Sequence, residues 1–180
     1  MFKTLIAAVF LCACLPQALL ADRRSCAALY EEGPRQVSGH ALASGKNLER
    51  EERGAGYALY YQPRGNARLS IFFYDRRTRR LADKDAAVEA TASAIIVGKL
   101  REATGARDIN LQLDDGGKVG QAQVFLATLT GRSEGRFTEQ LAVVAHKNCY
   151  VKVRYTPSNN NASAIRKILR EVTTHLAAGG

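Results

Sequence analysis

Residues 149–156, Cys-Tyr-Val-Lys-Val-Arg-Tyr-Thr, alternate between apolar and more polar side chains. The odd-numbered members would share one face of a strand, and that face is apolar: Cys149, Val151, Val153 and Tyr155. The even-numbered members would point to the opposite face: Tyr150, Lys152 and Arg154. A strand with one apolar and one polar face is typical of an antiparallel sheet, so this segment predicts that architecture.

Similar strand patterns precede this segment and are separated by turn-forming residues. Strands are predicted over residues 57–61, 67–75, 108–114, 119–129 and 137–146, with a short one near 37–43. Turns are predicted at 63–66, 114–117, 130–135 and 147–148, where turn-forming residues are concentrated. Because most of these connections are short, neighbouring strands would pair as antiparallel hairpins.

Two long helices are predicted, and a short helix near residues 26–32 precedes them. The first long helix covers residues 84–103 and ends before Gly105, which can adopt the left-handed conformation of a helix stop. Its apolar stripe is formed by Val88, Ala92, Ile95, Ile96 and Leu100. Small residues would also let it lie close against a sheet: Ala86, Ala87, Ala90 and Ala94. The second helix follows Pro157, and its stripe is formed by Ile165, Ile168, Leu169, Val172 and Leu176.

The order of these elements is a hairpin, a helix, an antiparallel meander and a helix, which predicts an α+β fold. The antiparallel sheet would have about six strands flanked by the two main helices, in a single domain over residues 22–180. A length of 180 residues supports one domain with its own core. Its 46% hydrophobic and 24% charged residues exclude a disordered or fibrous chain.

The first 21 residues have the order of a secretion signal peptide. Lys3 supplies the positive charge, an apolar run covers residues 5–15, and charged residues begin only after Ala21. Cleavage after Ala21 would release a periplasmic or secreted protein. The apolar run is also too short to span a membrane, and the mature chain would contain no transmembrane span.

A second interpretation of the same segment anchors the protein at the envelope. Leu11-Cys12-Ala13-Cys14 follows the pattern of a bacterial lipobox, in which the last cysteine is lipidated and becomes the mature N-terminus. Lipidation of Cys14 is therefore the alternative to simple cleavage after Ala21. In both cases the folded domain would begin near residue 22.

Cleavage after residue 21 leaves the mature chain with two cysteines, Cys26 and Cys149. It also removes one lysine and no acidic residue, so the formal net charge falls from +9 to +8. Two cysteines in an oxidising compartment usually pair, and such a disulfide would tie the N-terminal segment to the strand at 149–156. Two buried free thiols are the alternative. Catalytic thiol chemistry is disfavoured, because no CxxC motif provides a resolving partner.

Three segments, in their order along the chain, resemble a known group of proteins. They are a Tyr-rich strand (56–61, Gly-Tyr-Ala-Leu-Tyr-Tyr), an apolar strand that ends in Tyr-Asp (69–75) and the strand at 149–156. With the helices between and after them, they resemble uncharacterised bacterial envelope proteins and, more distantly, the PsbP-like α/β/α sandwich. The resemblance implies that fold and a role as a binding or assembly module. The Arg-rich segment 76–80 departs from the pattern, which would have a small acidic or Gly-rich turn there.

The sequence contains no motif for nucleophilic catalysis or metal ligation. Gly-x-Ser-x-Gly, HExxH and paired CxxC motifs are absent. The three histidines, His40, His146 and His175, fall on separate predicted elements, and a lone histidine is more often a surface or core residue than a ligand. The sequence therefore predicts a non-enzymatic protein without a metal or cofactor.

Basic residues are concentrated after the first hairpin: Arg76, Arg77, Arg79, Arg80 and Lys84, with Arg64 and Arg68 on the hairpin itself. Arginine binds phosphate and carboxylate groups through its planar guanidinium. In an exported bacterial protein the available anions are lipid headgroups, lipopolysaccharide and cell-wall polymers, whereas nucleic acid is disfavoured. The cluster is therefore a candidate anion-binding site, and the alternative is a solvated loop that keeps the protein soluble.

These patterns favour an exported binding or assembly module that contacts an envelope protein or an anionic envelope surface. An inhibitor or immunity-type protein is the first alternative, and it would bind another exported protein through a face or an edge of its sheet. A small hydrolase is the second alternative. It would require two carboxylates or a His–acid pair to converge in a deep pocket.

Overall fold

The computed structural model describes residues 26–76, 83–119, 121–158 and 163–178, with the backbone alone at 83, 84, 119 and 163. These residues form one curled half-barrel of eight antiparallel strands with three α-helices. The elements follow in this order: α1 (Cys26–Glu31), β1 (Gln36–Val37), β2 (His40–Asn47), β3 (Tyr57–Tyr61), β4 (Arg68–Tyr74), α2 (Asp83–Ala103), β5 (Arg107–Val119), β6 (Ala122–Arg132), β7 (Arg136–His146), β8 (Cys149–Thr156) and α3 (Ser163–Ala178). A single 3₁₀ turn, Leu48–Arg50, follows β2.

The strand order places β8 in the middle of the sheet. The order across the sheet is β1-β2-β3-β4-β8-β7-β6-β5. Helix α2 carries the chain from β4 to the far edge, and the meander β5 to β8 then returns until β8 pairs with β4. On β8, Val153 lies opposite Ile71 of β4 and Ala142 of β7. The segment that predicts an antiparallel sheet is therefore paired on both sides.

The main core lies between one face of the sheet and helices α1 and α3. The predicted stripe of α3 is confirmed, since each of its members is at most 1% exposed: Ile165, Ile168, Leu169, Val172 and Leu176. The predicted apolar face of β8 packs against the same core: Cys149, Val151, Val153 and Tyr155. Full burial of a Leu or Ile side chain contributes about 1.5–3 kcal/mol, so this stripe is a major part of the stability.

Helix α2 packs on the opposite face of the sheet, but its predicted apolar stripe is wrong. Four of its members are exposed: Val88 (69%), Ile95 (47%), Ile96 (51%) and Leu100 (58%). The buried line is instead Ala86, Ala90, Ala94 and Val97. The sheet supplies the bulky side chains at this interface, among them Leu129 and Leu141, so the helix contributes small ones and lies close.

The prediction of about six strands flanked by two main helices, in a PsbP-like sandwich, is also wrong. The sheet has eight strands and forms a curled half-barrel, and α1 is a third helix. Residues 36–47, where the sequence predicts one short strand near 37–43, form two strands in a hairpin around Ser38 (φ 47°) and Gly39 (φ 80°). Because β2 lies near the edge, most of its side chains are exposed, and no apolar alternation marks it in the sequence.

A predicted turn at residues 114–117 is wrong as well, because β5 runs straight through it. The Asp-Asp-Gly-Gly segment produces a register shift between Asp115 and Gly117 rather than a hairpin. Gly117 has φ 76°, and its N–H donates to the Asp115 carboxylate over 2.7 Å. These residues favour turns, but here they form an irregularity of the kind called a β-bulge. By contrast, the turn at Lys147-Asn148 is confirmed, with φ of 48° and 59°.

Candidate anion-binding site

The predicted Arg-rich cluster lies only partly within the described residues. Arg77, Arg79 and Arg80 fall outside them, and Lys84 is described by its backbone alone. Arg76 follows β4, pairs with Glu89 of α2 at 3.1 Å and lies over the Tyr74 ring at 5.4 Å. Its guanidinium is therefore half-exposed and already paired with a carboxylate. Anion binding by this cluster stays a prediction.

The predicted pairing of Cys26 and Cys149 is confirmed. The two sulfurs lie at disulfide distance, and the Cα atoms are 5.5 Å apart. Cys26 is 7% exposed and Cys149 is fully buried, so the bridge lies inside the main core. It joins α1 to β8 across a sequence separation of 123 residues.

The export prediction depends on residues that the structure does not describe. Residues 1–21, including Cys14, lie outside the described part of the chain, so both signal-peptide cleavage and lipidation stay predictions. None of the described helices combines the length and the apolar composition that a membrane span needs.

A cavity of about 560 Å³ opens where the β1–β2 turn, the β3–β4 turn and α3 meet. Its lining is polar and basic on one side and apolar on the other: Ser38, His40, Arg64, Gly65, Ala67, Tyr155, Ser158, Ala164, Lys167 and Ile168. The strand order explains this meeting, because β2 and β3 are neighbours and α3 follows β8 in the middle of the sheet. Concave sites with a few convergent polar groups are the usual places for ligand binding.

His40 is the buried polar group of this cavity. It begins β2, is 4% exposed, and its Nδ1 lies 3.0 Å from the carbonyl oxygen of Gln62. Because a carbonyl oxygen can only accept, Nδ1 carries the hydrogen in this contact. The edge of the ring packs against Tyr155, with the ring centroids 6.2 Å apart. The imidazole is thereby fixed in orientation, and Nε2 is left for a ligand in the cavity that the ring lines.

The exposed side chain of Arg64 contacts the turn between β1 and β2. One Nη donates to the carbonyl oxygen of Ser38 over 3.0 Å. The guanidinium also packs directly on Gly39, where a Cβ atom would overlap it. Gly39 therefore has two roles, since its φ of 80° favours glycine and its missing side chain makes room for Arg64. The remaining N–H groups of Arg64 are free to bind an anion in a defined orientation.

Lys167 and Glu171 complete the charged groups at this end of the sheet. Lys167 lies on α3, lines the cavity and is largely exposed, with its Nζ 3.9 Å from Glu171. The Glu171 carboxylate accepts hydrogen bonds from the N–H (2.6 Å) and hydroxyl (3.0 Å) of Ser38. Glu171 is thus occupied by Ser38, whereas Arg64 and Lys167 both face the cavity. The site can bind an anionic group of about the size of a phosphate or carboxylate.

Sequence reasoning assigned no role to His40 and treated Arg64 only as an accessory of the Arg-rich loop. The structure brings both to one cavity and leaves the other histidines elsewhere. His146 ends β7, and its half-buried ring has an Nε2 without a partner among the described residues. Burial and the neighbouring Lys147 lower the pKa of His146. His175 lies near the end of α3, with Nε2 2.9 Å from the carbonyl oxygen of Glu32.

A second polar cluster lies under α2, but it is closed to ligands. The Glu89 carboxylate accepts hydrogen bonds from the hydroxyls of Tyr74 (2.9 Å) and Ser93 (3.1 Å). Lys152 of β8 donates to Ser93 over 3.2 Å, and its ammonium lies over the Phe72 ring at 4.9 Å. A serine beside a lysine can serve as a nucleophile and base. Here, however, Ser93 is 3% exposed and fully engaged, so we assign this cluster to the packing of α2.

Burial shifts the pKa values of the ionisable side chains in this cluster. It lowers the pKa of Lys152 to about 8, although the nearby charge of Glu89 acts in the opposite direction. Burial also raises the pKa of Tyr74 and Tyr150, and nearby acidic groups add to this effect. Tyr61, whose hydroxyl donates to the Pro34 carbonyl over 2.8 Å, has a pKa raised by burial alone.

The free energy of unfolding should therefore increase between pH 8 and pH 10 and decrease above pH 10. In that window the unfolded chain keeps the lysine proton that the folded protein has released at Lys152, so the free energy of unfolding rises with pH. Above pH 10 the buried tyrosines retain protons that the unfolded chain loses, and the sign reverses. Urea unfolding should show a rise of about 1–2 kcal/mol that a Lys152→Met variant lacks. An equal pH slope in both proteins would contradict this assignment.

The chain matches no protein-family model and no curated protein. What can be inferred about its function therefore depends on the residues and the geometry described above.

Proposed function

We propose that this chain is an exported, non-enzymatic binding module of the bacterial envelope that holds an anionic group of its ligand in the cavity between Arg64, Lys167 and His40. The observation that carries the proposal is the position of Arg64. Its exposed side chain donates a hydrogen bond to the Ser38 carbonyl and lies against Gly39, beside a cavity whose lining includes a second cation, Lys167. A hydrogen bond that orients the guanidinium before binding reduces the side-chain freedom lost when the ligand arrives.

The chemistry of the site favours phosphate or carboxylate as the bound group. Arg64 can form two parallel hydrogen bonds to either anion, and Lys167 contributes charge at the mouth of the cavity. The hydroxyls of Ser38 and Ser158 and the imidazole of His40 add further hydrogen-bonding groups. The apolar side of the cavity, with Ala67, Ala164 and Ile168, would contact the uncharged part of the ligand. Envelope lipids and cell-wall polymers carry both kinds of anion.

Arg76 of the predicted Arg-rich cluster would be a separate contact, not part of this cavity. The cavity lies at the start of β4, beside Ala67, and Arg76 follows the other end of the same strand. The predicted export signal and the buried disulfide support an envelope location, because disulfides persist in oxidising compartments. The proposal for the ligand, however, depends on Arg64 and its neighbours.

Two-dimensional NMR titrations should detect the anion site. Inorganic phosphate and glycerol phosphate test the phosphate group, acetate and a muramyl peptide test the carboxylate, and short-chain phosphatidylglycerol tests the lipid source. We expect shifts at Ser38, Arg64 and Lys167. Arg64→Gln should weaken binding by at least about tenfold, since a hydrogen bond to a charged group contributes about 1.5–3 kcal/mol.

The matched control is Arg107→Gln, which removes one exposed arginine from β5, at the opposite edge of the sheet from the β1–β2 turn. It should reduce binding less than twofold, because distant exposed charges are screened by salt. Equal losses in the two variants would show that the binding reflects only the overall positive charge. Anion-induced shifts that fall outside the cavity would also overturn the proposal.

A further inference from the structure

Strand β5 is the longest strand of the sheet and lies at one of its edges. It covers 13 residues, Arg107–Val119, and among the described residues it pairs only with β6. The backbone N–H and C=O groups on a free edge can pair with another strand, and most proteins shorten, charge or cover such an edge. A long free edge therefore indicates an interaction surface.

The middle of β5 lacks the features that usually prevent edge pairing. Residues 109–113, Ile-Asn-Leu-Gln-Leu, contain neither charge nor proline. Ile109, Leu111 and Leu113 lie on the side of the sheet that α2 covers, yet Leu113 is 51% exposed. Asn110 and Gln112 point to the other side and are exposed. A strand added at this edge would meet apolar side chains on one face and amides on the other.

This segment is complementary to a second copy of itself. In an antiparallel pair, side chains directly opposite each other lie on the same face. With Leu111 on a two-fold axis, Asn110 of one copy lies opposite Gln112 of the other. One step further along, Ile109 lies opposite Leu113. Apolar side chains thus meet apolar side chains and amides meet amides, and the axis repeats each of these contacts.

The same register also pairs opposite charges. A register shift lies between Arg107 and Asn110, so Asp108 and Ile109 count as one step of the ladder. Arg107 is therefore three steps from the axis and lies opposite Asp114, which is three steps away on the other side. The segment 107–114 carries one cation and two carboxylates, since Asp108 is also exposed there. The attraction thus depends on this pairing and not on an excess of positive charge.

Other positions of the axis lose these pairs. An axis at Gln112 would place Ile109 opposite the charged Asp115, and an axis at Asn110 would remove the pair of opposite charges. We propose that the chain forms a symmetric dimer through β5, with Leu111 on the two-fold axis and the two sheets joined into one. This interface is independent of the anion-binding cavity, which lies beside the other edge of the sheet.

A small, mainly apolar cavity beside β5 supports a second copy as the occupant of this edge. Its volume is about 220 Å³, and it lies between α2 and the sheet, where Ala87, Thr91, Leu113 and Phe125 line it. In the proposed register, Ile109 of the second copy lies beside Leu113 on the face that carries α2. That isoleucine would cover the mouth of the cavity and reduce the exposure of Leu113.

A cysteine on the two-fold axis tests the register. Directly opposite residues of an antiparallel pair have Cα atoms about 4.5–5.5 Å apart, which a disulfide can bridge. With oxidised glutathione, Leu111→Cys should therefore form a covalent dimer that a reductant separates, whereas the native Cys26–Cys149 pair is already bonded within the chain. The control is Asn110→Cys, because the two copies of residue 110 lie two steps apart, beyond disulfide reach. Equal cross-linking of the two variants would contradict the proposal.

A charge exchange tests the pair of Arg107 and Asp114. Arg107→Asp and Asp114→Arg each place like charges opposite each other twice, and each should raise the dissociation constant of the dimer at least about tenfold. The double variant restores opposite charges and should return the constant to within about threefold of the original value. Sedimentation equilibrium measures these constants. Additive losses in the double variant would overturn the proposal, as would a wild-type chain that stays monomeric up to about 1 mM.

A matched pair of lysine substitutions separates the edge from general effects of surface charge. Leu113→Lys places a charge in the apolar contact and should weaken the dimer at least about tenfold, whereas Val88→Lys changes an exposed residue on the outer side of α2 and should have little effect. Equal losses, or slow hydrogen exchange along β5 in a monomer, would show a different occupant. Arg64→Gln should leave the dimer unchanged, and Arg107→Gln should weaken it without changing phosphate binding, so the two proposals fail separately.

Discussion

Reduction of the Cys26–Cys149 disulfide should lower the free energy of unfolding by about 5 kcal/mol. The bridge closes a loop of 123 residues, and in the chain-entropy description a loop of that length restricts the unfolded state by about this amount. Domains of this size are stabilised by only about 5–15 kcal/mol in total. The reduced protein should therefore unfold at a much lower urea concentration.

The loss should begin at α1. This helix has six residues, too few to be stable alone, and it contributes the fully buried Leu29 to the main core. Hydrogen exchange after reduction should accelerate in α1 more than in β6 or β7. A Cys26→Ala, Cys149→Ala double variant is the control, because the reductant should not change its stability. A reduced wild type that unfolds within about 1 kcal/mol of the oxidised protein would contradict the expected stabilisation.

Sequence patterns predicted the elements that bury one side completely. The alternation in β8 and the stripe of α3 have a clear period, because each buries one face in the main core and leaves the other more polar. Ile168 and Leu169, for example, are both 1% exposed. For residues 36–47 the sequence predicts only one short strand near 37–43, because exposure on both sides of β2 removes the pattern.

The error in α2 has a different origin. A stripe of large apolar residues usually marks the buried side of a helix, but here the buried side carries alanines. The available space, not hydrophobicity, decides which side packs, since Leu129 and Leu141 already fill the interface.

The cavity could not be predicted because its residues are far apart in the sequence. His40 and Arg64 belong to neighbouring hairpins, and Lys167 joins them only because α3 follows β8. The Ser38-Gly39 turn brings the first hairpin to Arg64. Ser38 and Gly39 form a two-residue hairpin loop, and this Ser-Gly pair is the feature of the sequence that could have predicted the hairpin. His40, Arg64 and Lys167 are isolated in the sequence, and only the strand order brings them to one cavity.

Replacement of Glu139 by glutamine should destabilise the protein by about 3 kcal/mol, an unusually large effect for removal of a single charge. Glu139 is fully buried on β7 and accepts hydrogen bonds from Arg101 of α2 (2.9 and 3.0 Å) and from Arg154 of β8. Arg101 also lies over the Phe137 ring at 5.2 Å. Loss of one partner from a buried ion pair costs about 3–5 kcal/mol. We expect the lower end, because both guanidinium groups retain contact with water.

The control for Glu139→Gln is Glu102→Gln, which removes an exposed carboxylate next to Arg101 on α2 and should change stability by less than about 0.5 kcal/mol. A triple variant identifies the cause. Glu139→Leu with Arg101→Met and Arg154→Met replaces the whole charged group by apolar side chains, and such replacements are often neutral or stabilising. Recovery of stability in the triple variant would show that two unpaired guanidinium groups, not lost packing, destabilise Glu139→Gln. If the triple variant is as unstable as Glu139→Gln, the carboxylate stabilises the interface of α2, β7 and β8 through its shape rather than its charge.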